Sequence, residues 1–152
     1  IVGMGVAAEL ARNEMAVYLP KIQKLRDKLE KEILDKIKYV KVNSPPEYRL
    51  AHYLNISFKF LEGESILMLL ATKGIAAASG SACQSRALKV SPVLLAIGLS
   101  PEIAQGSILF TLSKYTTEEE INFVLKELPP IIEKLRRISP LYQDFIKERR
   151  RE

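Results

Sequence analysis

The sequence has 152 residues, of which 47% are hydrophobic and 27% charged, and this is the composition of an ordinary globular domain. It excludes disordered, collagen-like and low-complexity chains, and no apolar run approaches the ~20 residues of a membrane-spanning helix. The formal net charge of +5 is small and partly concentrated in the last six residues, so it does not favour nucleic-acid binding.

The first third of the chain is predicted to be helical. The chain begins Ile1-Val-Gly-Met-Gly, without an initiator methionine or a signal peptide, so we expect it to start inside a larger product. Apolar residues then recur at steps of three and four from Ile22 to Ile37, which indicates an amphipathic helix. Pro20 is expected to start this helix or to kink a longer one that begins near Gly5. Residues 38–43 are predicted to form a short strand.

The middle of the chain alternates between predicted strands and helices. Polar and apolar residues alternate over Tyr53–Phe60, which predicts a strand buried on the face of Leu54, Ile56, Phe58 and Phe60. A helix is predicted over Ser65–Lys73, with Gly74 as its left-handed C-cap. A small strand at Ile75–Ala78 and a loop at Ser79–Leu88 follow.

The last third combines short helices, a strand and a long helix. Ser91-Pro92 and Ser100-Pro101 each indicate a helix start, and Ser107–Leu112 is predicted to be a strand. The run from Thr117 to Glu120 is a capping box before a long helix that continues beyond Pro129-Pro130. The whole pattern predicts an α+β fold of one domain over residues 1–152, a short-stranded sheet with helices packed on one face.

Cys83 is the one residue suited to covalent chemistry. A single cysteine and the single histidine, His52, exclude an internal disulfide and a Cys/His metal cage within one chain, and a reducing, cytoplasmic setting is the simple expectation. Cys83 is either a small buried hydrophobic residue or an activated nucleophile on a loop. Its Ser, Gly and Ala neighbours offer little apolar surface, and Arg86 and Lys89 would favour the reactive thiolate. We interpret His52 as an ordinary strand-edge residue.

Several motifs follow one another over nearly the whole chain. The clearest lie around Cys83 and after it: Ser79-Gly-Ser-Ala-Cys83, the stretch from Val90 to Glu102, the stretch from Leu112 to Ile121, and Ser139-Pro-Leu-Tyr142. Upstream are Ile1-Val-Gly-Met-Gly, Leu54-Asn-Ile-Ser-Phe58 and Glu62-Gly-Glu-Ser65. In this order the motifs resemble those of the NifS/IscS-type cysteine desulfurases of the class V aminotransferase family.

The resemblance implies that the chain is the C-terminal small domain of the type I pyridoxal phosphate (PLP) fold. The large domain, which binds PLP through a lysine, is absent, so we expect no cofactor-binding residue here and no PLP binding by this chain alone. The implied reaction removes sulfur from L-cysteine to give alanine and a persulfide on Cys83. The persulfide would pass to an iron–sulfur scaffold or another sulfur acceptor, and the enzyme would be a homodimer or would join a separate PLP-domain half.

Leu109 departs from the family pattern. It occupies the place of an arginine that pairs with the substrate carboxylate, and leucine cannot make that charged contact. Strand alternation places Leu109 with Ser107 and Thr111, on the face expected to line the cofactor cleft. Lys114 matches a family position for Arg or Lys, and we interpret it as a solvated strand end.

Three functions remain open from the sequence. The chain is part of an active cysteine desulfurase, or a degenerate paralogue that keeps Cys83 as a sulfur carrier or cluster ligand, or an interaction module that uses only the family's binding surfaces. The missing PLP lysine and Leu109 favour the last two for the isolated chain, whereas the resemblance favours the first for its ancestry.

Overall fold

A computed structural model describes residues 1–79 and 90–150. In this part of the chain the helices are α1 (Val2–Lys36), α2 (Gly63–Ala71), α3 (Pro92–Ala96), α4 (Pro101–Gln105), α5 (Glu118–Ile138) and α6 (Pro140–Arg149), and the strands are β1 (Val40–Val42), β2 (Tyr53–Phe58), β3 (Ala78–Ser79) and β4 (Ser107–Thr111). A 3-10 turn, Pro46–Tyr48, links β1 to β2. The α+β class is therefore confirmed.

The four strands form one antiparallel sheet in the order β1-β2-β4-β3. In the β2–β4 pair, Asn55 lies opposite Leu109 and Ser57 lies opposite Ser107. Directly paired residues share a face of an antiparallel sheet, so these four side chains point to one side. The alternate residues, including Leu54, Ile56, Phe58, Ile108 and Phe110, point to the other side and are buried in the main core.

The main core lies between the sheet and helices α1, α2 and α5. Its central side chains are completely or almost completely removed from water: Leu29, Ile33, Leu54, Ile56, Phe58, Ile66, Leu70, Ile108, Leu128 and Ile132. Burying a side chain of this size stabilises the fold by about 1.5–3 kcal/mol. The sheet thus has one face covered by these helices and a second face that points away from them.

Pro20 lies inside helix α1, which runs from Val2 to Lys36. Of the two predicted alternatives, the longer helix is therefore the one present. Its second half packs into the core through Ile22, Leu25, Leu29 and Ile33. Nearly all of the first 20 residues are exposed, including Met4 and Val17. No helix in residues 1–79 and 90–150 is long and apolar enough to cross a membrane.

Local signals around the helices are confirmed at most positions. The Thr117 side chain accepts a hydrogen bond from the Glu120 backbone at 3.3 Å, and the Glu120 carboxylate accepts one from the Thr117 backbone at 2.9 Å. Helix α5 continues through Pro129 and Pro130. Gly74 has a φ of 73° after α2, as a left-handed C-cap requires.

Several predicted boundaries are wrong. Strand β2 ends at Phe58 instead of Phe60, because Phe60 turns the backbone to a φ of 70° and leaves the sheet. Phe60 instead stacks on Phe145 of α6 at 4.6 Å between ring centroids. Helix α2 begins at Gly63, two residues before the predicted start, and β3 begins only at Ala78.

Candidate functional site

A hydrogen-bonded polar cluster occupies the face of the sheet that points away from the core helices. We call Asn43, Asn55, Ser57 and Ser107 the polar cluster. The Asn43 side-chain amide donates to Asn55 Oδ1 at 2.5 Å and to Ser57 Oγ at 2.8 Å. The Ser107 hydroxyl donates to the same Asn55 oxygen at 3.1 Å. One amide oxygen therefore ties β2 to β4 and to the residue after β1.

The polar cluster is buried even though it faces away from the main core. Ser57 and Ser107 are 0% and 1% exposed, and Asn43 is 9% exposed. Asn43 Oδ1 is buried and has no hydrogen-bond donor within the described residues. Because an unsatisfied buried acceptor costs about 1–3 kcal/mol, this oxygen is the point of the cluster best suited to accept a further donor.

Leu109 lies beside the polar cluster. It is half-buried, sits opposite Asn55 on one side and Ala78 on the other, and does not belong to the main core. Its neighbours along β4 on the core side, Ile108 and Phe110, do belong to that core. The structure thus places Leu109 on the face that alternation predicted, where an arginine at the same position would point away from the hydrophobic core.

The segment that contains Cys83 follows strand β3 directly in the sequence. Strand β3 pairs with β4 and ends at Ser79, immediately before residues 80–89. Cys83, Arg86 and Lys89 lie in that segment, outside the described residues, so the reactive-thiolate prediction stays a prediction. At the far side of the segment, Val90 packs against a small second core of Leu94, Leu99 and Ala104.

His52 and Lys114 lie at a different place, near the first half of α1. The His52 carbonyl accepts a hydrogen bond from the Leu112 backbone at 2.9 Å, and its ring lies 4.4 Å from that of Tyr53. This is the ordinary strand-edge environment that we expected. Both residues line a cavity of about 460 Å³ under α1, together with Glu14 and Tyr115.

Lys114 is not the simply solvated strand end that we expected. Its ammonium donates to Glu14 Oε2 of α1 at 2.5 Å and lies 5.3 Å from the centre of the Tyr115 ring. The hydrogen bond to Glu14 is the main cause that raises the pKa of Lys114 above its ordinary value. Lys114 therefore joins α1 to the residues that follow β4.

The polar cluster was missed from the sequence, although part of its signal was present. Alternation along β2 placed Asn55 and Ser57 on the solvent side, and alternation along β4 placed Ser107 with Leu109. Nothing in the order of residues indicated that Asn43 would reach both β2 side chains across the sheet. Long-range side-chain pairing of this kind depends on strand order and register.

The polar cluster by itself does not fit PLP, the cofactor that the resemblance implies. The Asn43 amide and the Ser107 hydroxyl donate to acceptors within the cluster, and the residue beside it is the uncharged Leu109. Lys41 is the one cation that β1, β2 and β4 place on this face, and it is exposed on the edge strand. Among the described residues, no group of three or more His, Asp or Glu side chains is arranged to hold a metal ion.

Comparison with known proteins gives consistent relatives. The profile of the family described as aminotransferase class-V matches residues 1–124. The chain is 49% identical over 145 residues to the cysteine desulfurase IscS of Haemophilus influenzae, and 46% identical over 142 residues to the cysteine desulfurase NifS of Azotobacter vinelandii. These matches cover 95% and 93% of the chain but only 35% of each relative.

Solved structures give the same fold. A NifS-like protein superimposes with a TM-score of 0.75 at 31% identity, covering 88% of the chain and 33% of that protein. The NifS-like protein from Rickettsia africae superimposes with a TM-score of 0.74 at 27% identity. The chain thus spans about a third of the length of the proteins that it matches.

Proposed function

Because this chain belongs to the aminotransferase class-V family, we propose that it is the C-terminal, small-domain part of a cysteine desulfurase. The observation that carries the proposal is the 49% identity to a cysteine desulfurase, which extends over 95% of the chain. The 35% coverage of that relative supports the view that the PLP-binding part of the enzyme lies outside residues 1–152.

In this proposal Cys83 accepts the sulfur. Its thiolate attacks the sulfur atom of L-cysteine, an S–S bond forms, and the bond between that sulfur and the substrate carbon breaks. The electron pair of the broken bond stays with the carbon, which takes up a proton to give alanine, and Cys83 is left as a persulfide. The arrangement of β3 and Val90 supports this role, because it anchors both ends of the segment that contains Cys83.

The exposed first half of α1 supports the proposal that another part of the enzyme packs there. Apolar side chains on this half are strongly exposed, namely Val2, Met4, Val6, Leu10, Met15 and Val17. Apolar exposure concentrated on one element is typical of a surface that contacts protein. We propose that this surface contacts the rest of the desulfurase, which makes up roughly two thirds of its length.

The destination of the sulfur follows from the same proposal. A persulfide on Cys83 would be passed to the thiolate of an acceptor protein, such as an iron–sulfur scaffold or a sulfur-relay protein. The complete enzyme would be a cytoplasmic homodimer or an assembly of this chain with a separate PLP-domain half. These partners are inferred from the family alone.

Leu109 favours a second function. It lies where the family places an arginine for the substrate carboxylate, and its neighbours Asn55 and Ala78 bring no charge. A degenerate paralogue that no longer turns over L-cysteine could still carry sulfur on Cys83 or use it as a cluster ligand. Such a protein would accept sulfur from another persulfide instead of from free L-cysteine.

An enzyme made by joining this chain to the missing part of a relative would distinguish between the two functions. The part of Haemophilus influenzae IscS that precedes the matched region would be fused to Ile1, and alanine formation from L-cysteine would be measured with PLP present. If the chain is a desulfurase small domain, the fused protein forms alanine and its Cys83→Ser variant does not. The isolated chain should form no alanine and show no visible absorbance of bound PLP. If the fused protein binds PLP but forms no alanine, the result supports the hypothesis of a degenerate paralogue instead.

A further inference from the structure

A cavity with an excess of positive charge lies between the end of α1, the start of β1 and helices α5 and α6. Its volume is about 510 Å³, within the usual size of a small-molecule site. We call it the basic cavity. The residues that matter for its chemistry are Lys36, Lys38, Tyr39, Arg136, Arg137 and Tyr142.

Arg136 is the buried cation of the basic cavity. Arg136 is only 7% exposed, and no carboxylate among the described residues pairs with it. Nη2 donates to the Tyr39 carbonyl at 3.2 Å, while Nε is buried without an acceptor. A buried charge without a partner is costly, so the guanidinium is short of both hydrogen bonds and negative charge.

Two aromatic rings fix the position of the Arg136 guanidinium. Its central carbon lies 5.6 Å from the centre of the Tyr39 ring and 5.5 Å from that of Tyr142. Both tyrosines line the basic cavity, so the cation that they hold is positioned at its wall. Tyr39 is itself held by Arg149, which donates to its hydroxyl at 2.6 Å.

The rim of the basic cavity adds further positive charge. Lys38 is exposed and has no partner in the described part of the chain. Lys36 is paired with Glu32 at 2.6 Å, and Arg137 is paired with Glu133 at 2.6 Å. Glu133 is the only carboxylate among the lining residues described, against four cationic side chains.

We propose that the basic cavity binds the phosphate group of a small molecule. A phosphate dianion offers several acceptor oxygens to the planar Arg136 guanidinium and neutralises more of the excess charge than a single carboxylate does. Lys38 supplies the free ammonium on the open side. This inference is independent of the proposed desulfurase function.

The test titrates the 152-residue chain with inorganic phosphate and pyrophosphate at constant ionic strength. Binding would be followed by NMR at the Arg136 side-chain Nε–H and at the backbone amides of residues 36–39 and 136–143. We expect saturable shifts that include the Arg136 signal. Shifts that do not saturate, or that leave the Arg136 signal in place, would overturn the proposal.

Matched variants separate a site from general charge attraction. Lys38→Gln removes an exposed, unpaired cation from the basic cavity and should weaken phosphate binding about three- to fivefold, as one exposed charge does. Lys41→Gln removes another exposed cation, which lies on β1 outside the cavity, and should leave binding unchanged. Equal weakening in both variants contradicts a defined site.

Two other probes test the ligand class. Acetate should bind at least tenfold more weakly than phosphate, because it carries one charge. If acetate, or an acidic peptide without phosphate, binds as tightly as phosphate at the same residues, the assignment to a phosphate group is wrong and the cavity recognises carboxylates.

Discussion

We interpret Leu109 as a departure from the pattern of the family, because the resemblance places an arginine at this position. The side chain is half-buried beside Asn55 and Ala78, on the sheet face opposite the main core. A longer and charged side chain at this position would therefore extend away from the core and past the polar cluster. An arginine here would not have to enter the main core.

Replacing Leu109 by arginine tests whether this position contacts substrate. In the joined enzyme, Leu109→Arg should lower the KM for L-cysteine about ten- to a hundredfold, since a charge-assisted hydrogen bond contributes about 1.5–3 kcal/mol. The measurement is alanine formation as a function of L-cysteine concentration.

Leu109→Met is the matched control, because it keeps the size and changes no charge. It should leave the KM for L-cysteine as it is. Should Leu109→Arg lower the melting temperature without any gain in KM, the arginine is buried unpaired, and the assignment of this face to the substrate is wrong.

Cys83 should be reactive in the folded chain. Its small neighbours leave it little apolar surface, and the nearby cations Arg86 and Lys89 favour the thiolate. We expect rapid alkylation by iodoacetamide at near-neutral pH, read from the intact mass, and a single modified site because the chain has one cysteine. Labelling that occurs only after denaturation would show that Cys83 is an ordinary buried hydrophobic residue.

At the scale of elements, signals that act over a few residues were predictable and side-chain contacts across the sheet were not. The capping box at Thr117 and the left-handed turn at Gly74 depend on neighbours three or four residues away, and both are present. The position of Phe60 depends on its contact with Phe145, far along the chain, which no local pattern contains.

In the candidate site too, local features were predictable from the sequence and long-range contacts were not. Alternation alone placed Leu109 on the correct face, because side-chain direction in a strand has a period of two. The burial of Ser57 and Asn43 on that face required the strand order β1-β2-β4-β3, which sequence patterning did not provide. The ion pair of Lys114 with Glu14 likewise joins residues 100 positions apart.

Gly106 is the position where packing between elements leaves no room for a side chain. A Cβ added there would lie 2.3 Å from the Phe58 carbonyl oxygen and 2.8 Å from that of Leu61, and both are backbone atoms that cannot swing away. Gly106→Ala should therefore lower the free energy of unfolding by about 1–3 kcal/mol, measured by urea denaturation.

Gly5→Ala is the control for the glycine substitution itself. Gly5 lies within α1, and a Cβ added there has no atom within 4 Å. Alanine should leave stability unchanged or raise it by up to about 1 kcal/mol, through its better helix propensity. Equal destabilisation by the two substitutions would mean that the close approach at Gly106 is absent in solution.

At the scale of the whole molecule, acid should lower the stability of the chain through carboxylates that are paired in the folded state. The hydrogen bond from Lys73, whose Nζ lies 2.9 Å from Glu127 Oε2, lowers the pKa of Glu127 below its ordinary value of 4.5. Pairing with Lys36 lowers the pKa of Glu32 in the same direction. The folded state therefore binds fewer protons than the unfolded state as the pH falls through this range.

The linkage of protons to folding gives the sign of the effect. The stability that Glu127 contributes is fully present above its unfolded pKa of about 4.5 and is lost as the pH falls through the lowered folded pKa. We expect the free energy of unfolding to fall below about pH 4.5, and to fall less in Glu127→Gln. If the pH dependence is the same in both proteins, the Lys73–Glu127 pair does not contribute to it.

We propose that the chain is the sulfur-accepting part, about a third in length, of a longer enzyme. Strand β3 is paired with β4 and ends at Ser79, just before the segment that contains Cys83. In our proposal, the exposed half of α1 contacts the part of the enzyme that would hold the cofactor. The central claim is that sulfur from L-cysteine arrives on Cys83.

The most direct test is to find that sulfur atom. The joined enzyme would be incubated with PLP and with L-cysteine labelled with a heavy sulfur isotope, trapped with an alkylating reagent, digested, and analysed by peptide mass spectrometry. The account predicts that the peptide containing Cys83 carries one labelled sulfur atom, and that the label disappears in Cys83→Ser and without L-cysteine. Alanine formation with no labelled sulfur on that peptide would contradict it.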